Sequence, residues 1–196
     1  MRVLGIAGSL RTGSYNRQLL DLAGTMLPLD AELVVWEGLR DVPPYDEDRE
    51  GEVPASVAEL GERVREADAV LIATPEYNGS IPGVLKNALD WASRPAAANV
   101  FRGKPVAVIG ASTGAFGAVW AQAEARKVLG LMGARVAPAE LSVGHAPERL
   151  AEPDEELLEQ LREAVAMALA EVRPKVPDAD AFGSPGPRRV FVAGAV

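Results

Sequence analysis

The sequence predicts one α/β domain built on a doubly wound, five-stranded parallel sheet. Short runs rich in Val, Ile and Leu alternate strictly with longer segments whose apolar residues recur near a 3.6-residue period. Three of the runs are almost continuously apolar, as strands covered on both faces must be. Five strand–helix pairs in succession then call for right-handed crossovers, which place helices on both sides of the sheet.

Taken in order, the first strand is read in "RVLGIAG", Arg2 to Gly8, and its helix in Tyr15 to Leu27. The second strand is "AELVVWE", Ala31 to Glu37, with a helix over Pro54 to Glu66. "DAVLIAT", Asp68 to Thr74, precedes a helix over Pro82 to Trp91, and "PVAVIGAS", Pro105 to Ser112, precedes one over Gly117 to Met132. "RVAPAELSV", Arg135 to Val143, is expected as the fifth strand. The last helix, Pro153 to Val172, sets Leu157, Leu161, Val165, Ala168 and Leu169 on or near one face. The domain is expected to end there. Residues 173–196 carry Pro174, Pro177, Pro185 and Pro187 and read as a tail, with docking of Val190, Phe191 and Val192 on a partner subunit as the alternative.

Composition excludes several classes. The 196 residues are 48% hydrophobic, enough for one sizeable core. There is no cysteine, which removes disulfides and thiolate metal centres and suits a reducing cytoplasm. A single histidine makes an imidazole-built metal centre improbable. Twenty-eight acidic residues against 20 basic ones give a charge of -8, opposite to what nucleic-acid binding requires. No run approaches the roughly 20 apolar residues of a membrane span, so a cytoplasmic protein without a membrane partner is expected.

In doubly wound sheets ligands bind beyond the carboxyl ends of the strands, where strand order reverses. The loops after the first, third and fourth strands hold the unusual residues. "AGSLRTGSYNRQLL", Ala7 to Leu20, lacks the lysine of a P-loop and the spacing of G-x-G-x-x-G. It offers hydroxyls at Ser9, Thr12 and Ser14, a cation at Arg11 and then a helix start, whose free N–H groups attract anions. Asn16 either bonds a phosphate oxygen or closes the turn. Such a loop suits a terminal phosphate monoester, although Ser14 would serve equally as a plain helix cap.

"TPEYNGSIPGVLKNALDW", Thr74 to Trp91, begins with an irregular backbone whose polar groups cannot all pair internally. A planar heteroaromatic with a carbonyl and imide edge is one partner for it, with Tyr77 against the flat face. Glu76 is balanced between a structural role and a ligand contact. Trp91 suits the core or an interface, and Lys86 and Asp90, four apart, make a surface helix pair. "GASTGAFGAVW", from Gly110, brings Ser112, Thr113 and glycines that let backbone approach a ligand closely. No G-x-S-x-G elbow occurs, and His145 lies in "VGHAPERL" without a triad partner, as a surface loop residue. "YDEDRE", Tyr45 to Glu50, lacks the spacing of a calcium loop and reads as solvated.

Together, "GSLRTGSYN", "PEYNGSIPGVLKNALDW", "GASTGAFGA" and "LRDVPPYDEDRE" resemble the NADPH-dependent FMN reductase family, which includes bacterial chromate and quinone reductases. The likeness runs from about Val3 to Val143. It implies a flavodoxin-like fold, FMN as cofactor and NADPH or NADH as electron donor. By that resemblance Ser9, Arg11, Ser14, Tyr15 and Asn16 hold the FMN phosphate and ribityl chain, and Gly13 gives room. Pro75, Glu76, Tyr77 and Asn78 line the isoalloxazine, with Ser112 and Gly114 approaching its other side. It also implies a homodimer or homotetramer and a small-molecule electron acceptor such as a flavin, quinone, azo compound or chromate. Since the flavin carries the chemistry, no catalytic side chain is expected. The rival is a flavodoxin-type FMN electron carrier that reacts with protein partners; a non-catalytic binding module is a second.

Overall fold

A computed structural model describes residues 1–172, so the proline-rich tail lies outside the described residues. The elements follow in chain order as β1 (Arg2–Ala7), α1 (Tyr15–Thr25), β2 (Glu32–Trp36), α2 (Ala55–Glu66), β3 (Ala69–Thr74), α3 (Gly83–Ala92), β4 (Pro105–Ala111), α4 (Val119–Leu131), β5 (Arg135–Val136), β6 (Ser142–Val143), α5 (Ala146–Ala151) and α6 (Glu155–Ala170). All strand pairs of the sheet are parallel, in the order β2-β1-β3-β4-β5, with β6 also paired to β4.

Strand alternation divides the core into two layers. Leu4, Ile6, Val70, Ile72, Val106 and Val108 face one side and meet Leu60 and Val64 of α2, Leu85 and Leu89 of α3, and Ala125 and Leu129 of α4. Val3, Leu71, Ala73, Ala107 and Ile109 face the other and meet Leu19 and Leu20 of α1 and Leu157, Leu161 and Val165 of α6. Because side chains alternate at every residue, a strand buried on both faces must be apolar throughout. Every residue of β3 and β4 is buried.

The expected fifth strand is present as two short pieces. Pro138 has no N–H to give, and the chain leaves the ladder between Val136 and Ser142. Pairing resumes at each end, where Ala137 N–H reaches the Val106 carbonyl (2.8 Å) and Gly110 N–H reaches the Leu141 carbonyl (2.9 Å). Between them the Arg126 guanidinium donates to the carbonyls of Val108 (3.2 Å) and Ala139 (2.7 Å), bridging the gap in the ladder. Burial there lowers the Arg126 pKa from its ordinary value. Helix α5 was not expected from the sequence; its single turn and a half begins with Pro147 in the first turn. Among the described residues no helix is long and apolar enough to cross a membrane.

Candidate functional site

Parallel pairing in register brings the carboxyl ends of β1, β3 and β4 to one edge, so three loops distant in sequence meet there. Gly8 N–H donates to the Ala73 carbonyl (2.8 Å), closing the first loop against the third strand. A Cβ at Gly8 would stand 3.1 Å from Leu85 and 3.3 Å from Pro75. That contact leaves little room for a larger residue.

The first loop turns on Gly13, whose φ of 72° lies in the left-handed region. Buried Ser14 caps α1, its hydroxyl accepting from Arg17 N–H (3.4 Å) while its carbonyl accepts from Arg17 and Gln18 N–H. Among the described residues the N–H groups of Thr12, Gly13, Tyr15 and Asn16 have no acceptor. Four unpaired donors thus sit at the start of α1, where the helix N-terminus is partially positive. Arg11 is exposed, its guanidinium 4.8 Å from the centre of the Tyr15 ring, and Ser9 Oγ accepts from the Arg11 N–H (3.3 Å). A cleft of ≈ 430 Å³ opens on this loop, lined by Ser9, Arg11, Thr12, Gly13 and Ser14 and continuing toward Trp36 and Arg40.

Asn16 takes a different position from its neighbours. It is buried, and its amide is spent on Ala111 at the end of β4: Nδ2 donates to the Ala111 carbonyl and Oδ1 accepts from the Ala111 N–H, both at 2.9 Å. Its side chain closes the turn rather than facing the cleft. It holds the first loop at a fixed distance from the fourth strand.

The third-strand loop forms a tight hairpin. Tyr77 and Ser80 exchange backbone hydrogen bonds (3.0 and 3.2 Å), and Asn78 and Gly79 between them take φ of 55° and 74°. Two left-handed residues at a hairpin tip are the signature of a type I′ turn, which Asn-Gly suits best. The turn leaves Tyr77 more than half exposed at the rim. Glu76 is structural in this arrangement: its Oε2 accepts the N–H groups of Trp120 (3.0 Å) and Ala121 (3.1 Å), capping α4. Ser80 donates to Glu124 (2.5 Å), so the hairpin is fastened to α4 at two points.

The fourth-strand loop is packed against β6. Ser112 N–H reaches the Val143 carbonyl (3.0 Å), and Gly114 accepts from His145 N–H (3.1 Å). A Cβ at Gly117 would stand 2.3 Å from Ser142, and one at Gly144 would stand 2.2 Å from the Ala115 oxygen. Only glycine fits at either position. The following residue, Ala118, is held left-handed at φ 64°, a strain of roughly 1–2 kcal/mol for a non-glycine residue. The N–H groups of Thr113, Gly114 and Ala115 have no acceptor among the described residues.

Other sequence readings find their places. His145 is exposed, Trp91 is buried and gives its Nε1–H to the Pro43 carbonyl (2.9 Å), and Lys86 pairs with Asp90 at 2.6 Å. Tyr45 packs edge-on against Trp91, 5.1 Å between ring centres, and donates to Glu50. That hydrogen bond, first among the causes, pushes the Tyr45 phenol up to about 12. Sequence reasoning overlooked Phe116 and Trp120, whose rings lie 5.0 Å apart and largely exposed beside the hairpin. Their i, i+4 spacing within "GAFGAVW" was the available signal. Arg40, which lines the cleft and donates to the Leu10 carbonyl (2.6 Å), had none, being brought there from beyond β2.

Known proteins share this architecture. The model of the family described as NADPH-dependent FMN reductase matches residues 1–148. An NAD(P)H-dependent FMN reductase of Pseudomonas aeruginosa is 48% identical over 132 residues, 66% of this chain and 69% of that protein. A quinone reductase of Escherichia coli K12 is 39% identical over 138 residues, 69% of this chain and 73% of the other. Among solved structures, the flavoenzyme NAD(P)H:(acceptor) oxidoreductase FerB of Paracoccus denitrificans superposes with a TM-score of 0.79 at 35% identity. That superposition covers 87% of this chain and 96% of FerB. The fold and these likenesses agree, and the chain belongs to the NADPH-dependent FMN reductase family.

Proposed function

We infer that this chain is an NAD(P)H-dependent FMN oxidoreductase that passes electrons from the nicotinamide through FMN to a small-molecule acceptor. The observation that carries the reading is the first loop: four unpaired backbone donors, the Ser9 hydroxyl and the Arg11 cation gather at the N-terminus of α1. Such a cradle matches the near-double negative charge of one phosphate monoester. FMN, when bound, supplies the acceptance of hydride at its N5 and the onward release of two electrons.

The protein's own residues bind and orient. Ser9, Arg11, Gly13, Ser14 and Tyr15 hold the phosphate and ribityl chain, while Asn16 holds that loop to β4. Pro75, Tyr77 and Asn78 line one side of the ring, and Glu76 fixes their loop to α4. Ser112 and Gly114, beside unpaired N–H groups, approach the other side. No side chain is assigned a catalytic proton transfer. The chain works as a homodimer or homotetramer in the cytoplasm, with the helix that carries Trp91 and the apolar residues near the tail as candidate contacts.

Purified protein should carry FMN or take it up on dialysis, and anaerobic NADPH should bleach the flavin band without a protein partner. A flavin that binds but is not reduced by either nicotinamide points instead to the electron-carrier reading. Light scattering at micromolar concentration tests the oligomer: a monomeric mass removes that part. Initial rates at several acceptor concentrations should give parallel lines, the pattern of two substrates using one open face in turn.

A further inference from the structure

The cleft at the first loop is larger than one phosphate group requires. Its ≈ 430 Å³ falls within the range of pockets that hold a whole small ligand, about 300–1,000 Å³. One wall is the loop itself, Ser9 to Ser14; the other comes from the end of β2 and the segment after it, with Trp36, Leu39 and Arg40. This second wall is built. A Cβ at Gly38 would stand 2.6 Å from the Trp36 ring, so the turn Gly38–Asp41 is laid directly on the buried indole. From that turn the Arg40 guanidinium donates to the Leu10 carbonyl (2.6 Å), joining the two walls.

Five charged side chains line the cleft: Arg11, Arg17, Asp21, Glu37 and Arg40. Arg17 pairs with both Asp21 (2.9 Å) and Glu37, which engages the two acids. Arg11 and Arg40 have no carboxylate partner among the described salt bridges, in a chain whose net charge is -8. Arg11 belongs to the phosphate loop. Arg40 is surplus to it, since four unpaired N–H groups, the Ser9 hydroxyl and Arg11 already serve the three terminal oxygens of one phosphate group. A further cation bonded to the same loop marks a place for a second negative group beside the first.

Resting on the FMN reading above, we propose that the Arg40 side of the cleft is a second phosphate subsite that takes the adenylate half of FAD, so that the chain binds the dinucleotide flavin as well as FMN. In FAD the second phosphate is joined to the first through one bridging oxygen. Its receptor must therefore border the phosphate loop, and Arg40, in contact with Leu10, does. The planar guanidinium suits the oxygens of a pyrophosphate, and Trp36 and Leu39 give the adenosine an apolar wall. The first loop taken alone points to a monoester; the segment after β2 extends it to a dinucleotide.

The test titrates flavin-free protein with FMN, FAD and riboflavin by calorimetry. FAD should bind one to a chain, in competition with FMN and with a Kd within about tenfold of FMN's. Arg40→Gln keeps a donor for the Leu10 carbonyl and removes the charge. It should raise the ratio of the FAD Kd to the FMN Kd about tenfold, the loss of one charge-assisted contact, and Arg40→Lys should restore part of it. A ratio unmoved in Arg40→Gln overturns the subsite; if both flavins weaken together, Arg40 is a positioning residue for the loop. An NADPH KM that rises in the FMN-loaded Arg40→Gln enzyme, with the flavin ratio unmoved, also overturns it and gives the cation to the electron donor. Unaltered protein that binds FMN and excludes FAD loses the subsite and keeps the FMN reading. Failure to bind either flavin removes both.

Discussion

Asn16 and Ala111 are 95 positions apart and exchange two hydrogen bonds of 2.9 Å, a side-chain amide replacing the strand neighbour that β4 lacks at its end. Both groups are buried, so neither water nor another residue is at hand to replace a lost partner. Asn16→Ala leaves one donor and one acceptor unsatisfied and should destabilise the protein by about 2–4 kcal/mol, read from urea unfolding. Asn16→Asp should also destabilise it, because a carboxylate would face the Ala111 carbonyl. An unaltered midpoint in both variants would show that the pair is not a structural clamp.

Arg11 stands at the mouth of the cleft over Tyr15, with no carboxylate partner among the described salt bridges. Arg11→Ala should weaken FMN by about 1.5–3 kcal/mol while barely affecting riboflavin, which lacks the phosphate. Titration of the flavin-free protein with each flavin measures the difference. Equal losses for both would place Arg11 away from the phosphate.

Glu76 acts on α4 through charge and hydrogen bonding at once, its carboxylate set against the helix's positive end. Glu76→Ala should cost about 1–2 kcal/mol, and Glu76→Gln, which retains an acceptor, about half as much. Since Trp120 shares this contact, its fluorescence maximum should shift in the alanine variant. An unmoved maximum at unchanged stability would refute the capping role.

Tyr45 fastens the segment after β2 to α3. Its N–H donates to Asn87 Oδ1 (2.8 Å), and both Asn87 and Trp91 donate to the neighbouring Pro43 carbonyl. Its folded pKa is raised, to about 12 from an ordinary 10.0, by the bond to Glu50. The bonded, protonated phenol therefore stabilises the fold fully below pH 10, and that contribution fades as pH rises toward 12. Tyr45→Phe should lose stability at neutral pH yet show a flatter decline across the alkaline window. Thermal unfolding at stepped pH, with tyrosinate absorbance followed in parallel, provides the comparison.

The strand–helix alternation, the two-sided burial of β3 and β4 and the three irregular loops at the strand ends were legible in the sequence because each depends on local signals. A continuous apolar run, a 3.6-residue period and clustered Gly, Pro, Asn and Ser all act within a few residues of themselves. The hydroxyls of Ser9, Thr12 and Ser14, the Arg11 cation and the start of a helix were legible for the same reason, since they occur together in one short stretch.

What only the tertiary structure decided is how residues far apart in the chain were committed. Asn16, read with two possible roles, is bound to Ala111; Glu76, balanced between ligand and structure, caps α4. The fifth strand divides at Pro138, and Arg126 from α4 bridges the opening. The Phe116 and Trp120 rings meet at 5.0 Å on a segment that Glu76, from the third-strand loop, holds by the Trp120 N–H. Composition and periodicity carry no record of such pairings, because a hydrogen bond is satisfied by whichever group the fold brings within 3 Å or so, and that choice belongs to the packed sheet as a whole.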